Sequence, residues 1–272
     1  MDNWQFDIKK FEQRYVRKLL PGVLGCTLSH QKCYQKFLMT DDPYVMIFED
    51  DLVVARKPDE IRQIIESLKS LYEQEKPIII LFSGWFWWSR MTDVHGVKLG
   101  RVIDGFLAQS YLINKAAARL MLEEKPFIVA DDWKYFRQKG INIYGVRPRC
   151  FEQLWSEETN SSIDYTDFAN LSGHWSMKIR VYVQELSRKL MSLIGHFESC
   201  AYLDECKVTD YSCIEDSDRK EIAVIKAYII NLERSIDRKE YMKNIMKLLP
   251  FISFEFIKAV DGRNVLEQLK ER

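Results

Sequence analysis

The 272-residue chain balances 40 Lys and Arg against 40 Asp and Glu, so no net field favours nucleic acid. A hydrophobic fraction of 47% with seven Trp is ordinary for a globular protein, and the length suits one large α/β domain or two small ones. The opening stretch MDNWQFDIKKFEQRY mixes charge with aromatics, with no apolar signal region, and no run reaches the length of a membrane span. The six Cys, at 26, 33, 150, 200, 206 and 213, contain no CxxC pair. Scattered thiols of this kind read as reduced and the chain as cytoplasmic, and the 200/206/213 group lacks zinc-ligand spacing.

Apolar spacing predicts a helix over 4–20, broken by Pro21-Gly22, and a second over about 27–39. YVMIFEDDLVV reads as an apolar strand interrupted by three acids, DEIRQIIESLKSLYEQE as an amphipathic helix, and KPIIILFSGWFWW as a buried strand running into an aromatic loop. GFLAQSYLIN predicts a strand and KAAARLMLEE a helix of strong helix formers. FIVADDWKYFRQKG reads as a loop and helix, and INIYGVRP as a short strand. Residues 151–174 are polar and irregular, 175–195 read as an amphipathic helix, and 196–221 as a linker. The chain closes on a strand over 222–232, a helix over about 236–249, a strand over 251–258 and the turn AVDGR. Strands alternating with helices predict an α/β fold, a mixed and mostly parallel sheet covered on both faces.

Glu49-Asp50-Asp51 is the strongest local signal. Ionised acids are costly beside a core, so three at the end of a buried strand suit a hard cation bridging to a diphosphate; a solvated turn is an equal alternative. Asn231 and the turn ERSIDRK end the strand AYII, where open α/β sheets bind ligands, and Arg234 and Arg238 could pair with phosphates. The same turn is also a plain helix start with Ser235 as N-cap. Ser29-His30 lies early in a helix, where a lone His is more often structural. Of Asp131 and Asp132, one reads as a helix N-cap and the other as a candidate general base. Trp85, Trp87 and Trp88 follow a strand, where aromatics stack on sugars or pack in the core.

Taken together, GCTLSHQKCYQKFL…PYVMIFEDDLVV, AQSYLINKAAARLML with ADDWKYF, and AYIINLERSIDRKEYMKNI…FEFIKAVDGR resemble glycosyltransferase family 25, the bacterial lipooligosaccharide galactosyl- and glucosyltransferases. In that family the INL…R…R block and AVDG come first, and GC.LSH and EDD follow. Here the order is reversed, so the chain resembles a circular permutant, with 222–272 supplying the family's opening and 1–155 the rest. The termini are then expected to lie together on the surface, where a break is tolerated, with 196–221 bridging the old ends. A window cut from tandem copies, or exchange of the last unit with a neighbour, is the rival. One departure is Val23, which stands where the family commonly has an acid in G-E-[IL]-G-C.

The resemblance implies a single GT-A-type, Rossmann-like domain over 1–272 and a metal-dependent, inverting transfer of hexose from a UDP-sugar, galactose favoured and glucose next. It implies Mn²⁺ or Mg²⁺ on Asp51, with Glu49 or Asp50 second, the nucleotide lined by Asn231, Leu232, Arg234 and Arg238, and Asp261 near the uridine. Ser29 and His30 fall near the diphosphate, Asp132 is the expected base with Asp131 its neighbour, and Trp85, Trp87 and Trp88 form the acceptor platform. The implied acceptor is a glycolipid at the inner leaflet. The 175–195 segment fits an interfacial helix, with Met177, Ile179, Val183, Leu186 and Leu190 apolar and Lys178, Arg180, Arg188 and Lys189 basic; packing on the domain or a homodimer partner fits equally. The alternatives are a non-catalytic sugar-nucleotide or glycan-binding protein of the same fold, and a nucleotide-sugar hydrolase.

Overall fold

In the computed structural model, residues 5–153 and 225–270 are described, with a few positions between them. The helices are α1 (Ile8–Tyr15), α2 (Pro21–Leu38), α3 (Pro58–Ser67), α4 (Lys69–Tyr72), α5 (Lys115–Leu122), α6 (Trp133–Gln138), α7 (Ile236–Lys247) and α8 (Gly262–Lys270). The strands are β1 (Tyr44–Glu49), β2 (Leu52–Val54), β3 (Ile78–Leu81), β4 (Trp85–Val94), β5 (Val97–Phe106), β6 (Ser110–Asn114), β7 (Asn142–Arg147), β8 (Phe151–Gln153), β9 (His196–Phe197), β10 (Ile225–Asn231) and β11 (Ile252–Lys258). One sheet runs β11-β10-β1-β6-β3-β7-β5-β4-β9, and β2 pairs with β8 beside it. The sheet is mixed. β11, β10 and β1 are parallel, as are β3 and β7, whereas β6, β5, β4 and β9 pair antiparallel with their neighbours.

Central strands buried on both faces read as unbroken apolar runs. β3 (IIIL) is wholly buried, and β1 sends Met46 and Phe48 to one face and Val45 and Ile47 to the other. The first face is covered by α3 and α7 through Ile61, Ile65, Met242 and Ile245. The second is covered by α2, α5 and α6 through Tyr34, Phe37, Ala117, Met121 and Trp133. A third cluster joins the two ends of the chain, packing Phe6, Phe11, Leu24 and Leu28 against Val260, Val265 and Leu266. Contact there is backbone to backbone: a Cβ on Gly262 would fall 1.8 Å from the Pro21 carbonyl oxygen.

Several boundaries differ from expectation for local reasons. α1 stops at Val16, which takes a left-handed C-cap with φ 52°, so the helix is half its expected length. α2 begins at Pro21 rather than Thr27. Leu20 before it is extended, and proline at the first helical position gives up only an amide that has no partner there. The expected strand YVMIFEDDLVV divides at Asp50-Asp51 into β1 and β2. The expected aromatic loop is the strand β4, turned into β5 by His95-Gly96, both with positive φ, a hairpin turn that asparagine or aspartate followed by glycine usually marks. The expected linker from 196 starts with the strand residues of β9, paired to Trp87 and Trp88. Most of the expected 175–195 helix, the rest of the 196–221 linker and Cys200, Cys206 and Cys213 lie outside the described residues.

Candidate active site

The carboxyl ends of β1 and β10 lie side by side, with Glu49 in register with Ile230. Beyond them opens a cavity of about 600 Å³, within the range that holds small-molecule ligands. It is lined by Glu49, Asp50 and Asp51 after β1, by Leu232, Arg234 and Arg238 after β10, and by Asp261, Gly262 and Arg263 at the start of α8. Pro21, Gly22 and Val23 at the start of α2 line it too, with Arg17. Segments more than 180 positions apart in the chain therefore build one wall.

The three acids have separate partners. Asp50 accepts hydrogen bonds from Asn231 Nδ2 at 2.7 Å and from Arg238 at 3.0 Å. Burial nevertheless holds its pKa above the ordinary value, against the pull of Arg238 and Asn231. Asp51 accepts from Gln153 Nε2 at 2.9 Å through Oδ2, while its buried Oδ1 has no hydrogen-bond partner. Burial first, then the charges of Glu49 and Asp50, push the Asp51 carboxyl up to about 7. Glu49 Oε1 faces α2, 3.1 Å from His30 Nε2 and 3.9 Å from Cys26 Sγ. His30 Nδ1 is 2.7 Å from the Tyr111 hydroxyl, which in turn meets the Tyr34 hydroxyl at 2.6 Å.

Ser29 also lines the cavity, yet its hydroxyl is engaged structurally. It donates to the Gly25 carbonyl at 2.6 Å and accepts from the Val260 amide at 2.8 Å, tying α2 to the last unit. Asn231 serves the site through Asp50 and does not line the cavity. Arg234 pairs with Asp261.

The two adjacent acids part company. Asp132 caps α6, accepting from the Tyr135 amide at 3.0 Å, while its other oxygen takes the Tyr15 hydroxyl at 2.6 Å and Arg14 at 2.8 Å. It lies outside the cavity lining, whereas Asp131 faces the cavity. Asp131 Oδ2 accepts from the Leu107 amide at 2.8 Å, and burial raises its pKa. Trp85, Trp87 and Trp88 do not line the cavity either. Trp87 and Trp88 are buried in β4, and Trp88 lies over Gly100, where a Cβ would fall 2.8 Å from its ring. All three sit in the strand of the hairpin, Trp87 and Trp88 packed in the core and Trp85 half-buried at its start. Residues not singled out from sequence are Cys26, Gln109, Gln153, Arg17 and Arg263. For Cys26 the one local signal is its position four residues before His30.

Acids and arginines converge beyond the carboxyl edge of this mixed α/β sheet, the place where open α/β sheets bind ligands. The family model for glycosyltransferase family 25 (LPS biosynthesis protein) matches residues 2–133 and 224–272. The chain belongs to glycosyltransferase family 25. It is similar to the lipooligosaccharide biosynthesis protein lic2B of Haemophilus influenzae, with 28% identity over 153 residues, covering 52% of this chain and 58% of that protein. The chain thus spans less than two thirds of that relative's length. Among the described residues, no helix is long and apolar enough to cross a membrane.

Proposed function

We propose that this glycosyltransferase moves a hexose, galactose in the first place and glucose next, from a UDP-sugar to a lipooligosaccharide-type acceptor with inversion at the anomeric carbon. The observation that carries this reading is the single cavity in which the β1 acids meet Arg234, Arg238 and Arg263 and the starts of α2 and α8. Guanidinium groups and helix N-termini together hold a diphosphate. Leu232 and Asp261 then flank the nucleotide, and Asn231 acts through Asp50.

The donor set fits Mn²⁺ or Mg²⁺. Asp51 has a buried carboxylate oxygen without a hydrogen-bond partner and a carboxyl pushed up to about 7, the signature of an anion wanting a cation. Asp51, with Glu49 or Asp50, would hold the ion, which when bound neutralises charge on the departing UDP. We assign the base to Asp131 rather than Asp132. Its raised pKa suits accepting the proton of the acceptor hydroxyl, and the Leu107 amide fixes the carboxyl.

The acceptor reading extends to the membrane. Tyr182, Val183, Leu186 and Leu190 are helical and exposed, an apolar face fit for the inner leaflet. The motif resemblance puts the 222–272 block ahead of 1–155, and the packing of α8 on α2 supports reading the chain as a circular permutant. UDP release from a panel of UDP-sugars, with and without Mn²⁺ and lactose- or glucose-terminated acceptors, tests the function. Acceptor-stimulated, chelator-sensitive release with one donor is expected. Release at full rate without acceptor would mean a hydrolase, and binding without release would mean a sugar-nucleotide-binding protein.

A further inference from the structure

We propose that Cys26, His30 and Glu49 form a site for a borderline-soft divalent transition metal such as Zn²⁺, with its fourth coordination position open to the cavity. Cys26 and His30 sit one turn apart on α2, and Glu49 reaches them from the end of β1. Their Sγ, Nε2 and Oε1 atoms all lie within 4.8 Å of one another. Zinc bonds of about 2.0–2.3 Å set tetrahedrally place ligand atoms about 3.3–3.8 Å apart. The separations of 3.1 Å from His30 to Glu49 and 3.9 Å from Cys26 to Glu49 bracket that range, and Cys26 and His30, within 4.8 Å, need a side-chain shift of at most about 1 Å to close the site.

The outer contacts are also those of a metal ligand. The His30 ring is 1% exposed, and Nδ1 is 2.7 Å from the Tyr111 hydroxyl. If Nδ1–H donates to Tyr111, which can pass its own proton toward Tyr34, the Nε2 lone pair points at the ion. A thiolate and a carboxylate balance the charge of a dication, with the imidazole neutral. A thiolate–imidazole pair selects zinc-like ions over Mg²⁺ or Mn²⁺, which prefer oxygen. The site therefore differs in ion class from the one on Asp51, where Asp50 is the second ligand once Glu49 is committed here, although the two share one cavity wall. It does not depend on the transferase assignment, because the ion can be read without donor or acceptor.

The test titrates the metal-free full chain with Co²⁺ and then Zn²⁺. A near-ultraviolet thiolate-to-cobalt band with tetrahedral visible bands, displaced by one equivalent of Zn²⁺, is expected. Cys26→Ser should abolish the thiolate band and Asp51→Asn should keep it. Tyr111→Phe should weaken zinc about 10–100-fold, as loss of a metal-ligand support does. Protection of Cys26 from alkylation by Zn²⁺, mapped by mass spectrometry, gives the same answer without a variant. Absence of the band in the unmodified protein, its persistence in Cys26→Ser, or alkylation of Cys26 indifferent to zinc would each overturn the proposal. None of those results would touch UDP release.

Discussion

Replacing Gly262 by alanine tests how the last unit is seated. The added Cβ would stand 1.8 Å from the Pro21 oxygen and 2.7 Å from the Gly25 nitrogen, the first of these 1.2 Å inside the 3.0 Å limit of real Cβ contacts. Both atoms are backbone, so no side chain can swing away, and α8 must lift from α2. Alanine would gain up to about 1 kcal/mol in helix propensity over glycine. Overpacking of this kind costs about 1–3 kcal/mol, and a backbone clash belongs at the upper end. A net loss of about 1–2 kcal/mol follows, a fall in Tm of roughly 2–8 °C at ~2–4 °C per kcal/mol for a chain of this size. Urea and thermal unfolding would be compared with Asn264→Ala, an exposed change on the same helix expected within about 0.5 kcal/mol of the parent. Because Gly262 lines the cavity, UDP affinity should fall as well. If Gly262→Ala were as stable as Asn264→Ala and bound UDP equally, α8 would not be seated on α2, and the shared cavity wall would be wrong.

Asp131→Asn should cut turnover about 10²–10⁴-fold with little change in donor affinity, measured by steady-state UDP release. Asp132→Asn should act on stability instead, costing about 1 kcal/mol or more through the lost Arg14 and Tyr15 contacts while Asn keeps the α6 cap, seen in chemical unfolding. The Asp131 carboxyl is raised by burial, so its unfolded form ionises first as pH rises. Between the ordinary carboxylate pKa and its raised native value, the native state binds more protons and stability falls with pH; Asp131→Asn should flatten that slope in Tm measured across the window. Activity in the parent should rise through the same window, as the base ionises. Arg238→Ala should weaken UDP binding by calorimetry and leave Asp50 without its cationic partner.

The central strands were legible because burial on both faces leaves nothing polar in them: β1, β3 and β10 stand where their apolar runs do. The carboxylates at the end of β1 were legible for the complementary reason, since a core has no use for three acids. The β4–β5 hairpin was not, because its turn is His95-Gly96 and its tryptophans fit a loop platform and a core equally; cross-strand contact with Gly100 is what seats Trp88. Which of Asp131 and Asp132 caps α6 could not be read locally. Either can cap a helix, and what decides it is Arg14 and Tyr15, more than 110 positions away. Cys26 escaped notice for the same reason, as Glu49 joins it only through the fold.

The most direct measurement is product analysis: UDP-galactose, a lactose- or glucose-terminated acceptor and Mn²⁺ incubated with the parent and with Asp131→Asn, the acceptor then examined by mass spectrometry and its new anomeric centre by NMR. The account predicts a gain of one hexose in inverted configuration with the parent and a large loss of product with Asp131→Asn. A product of retained configuration, or equal product from the two proteins, would contradict it.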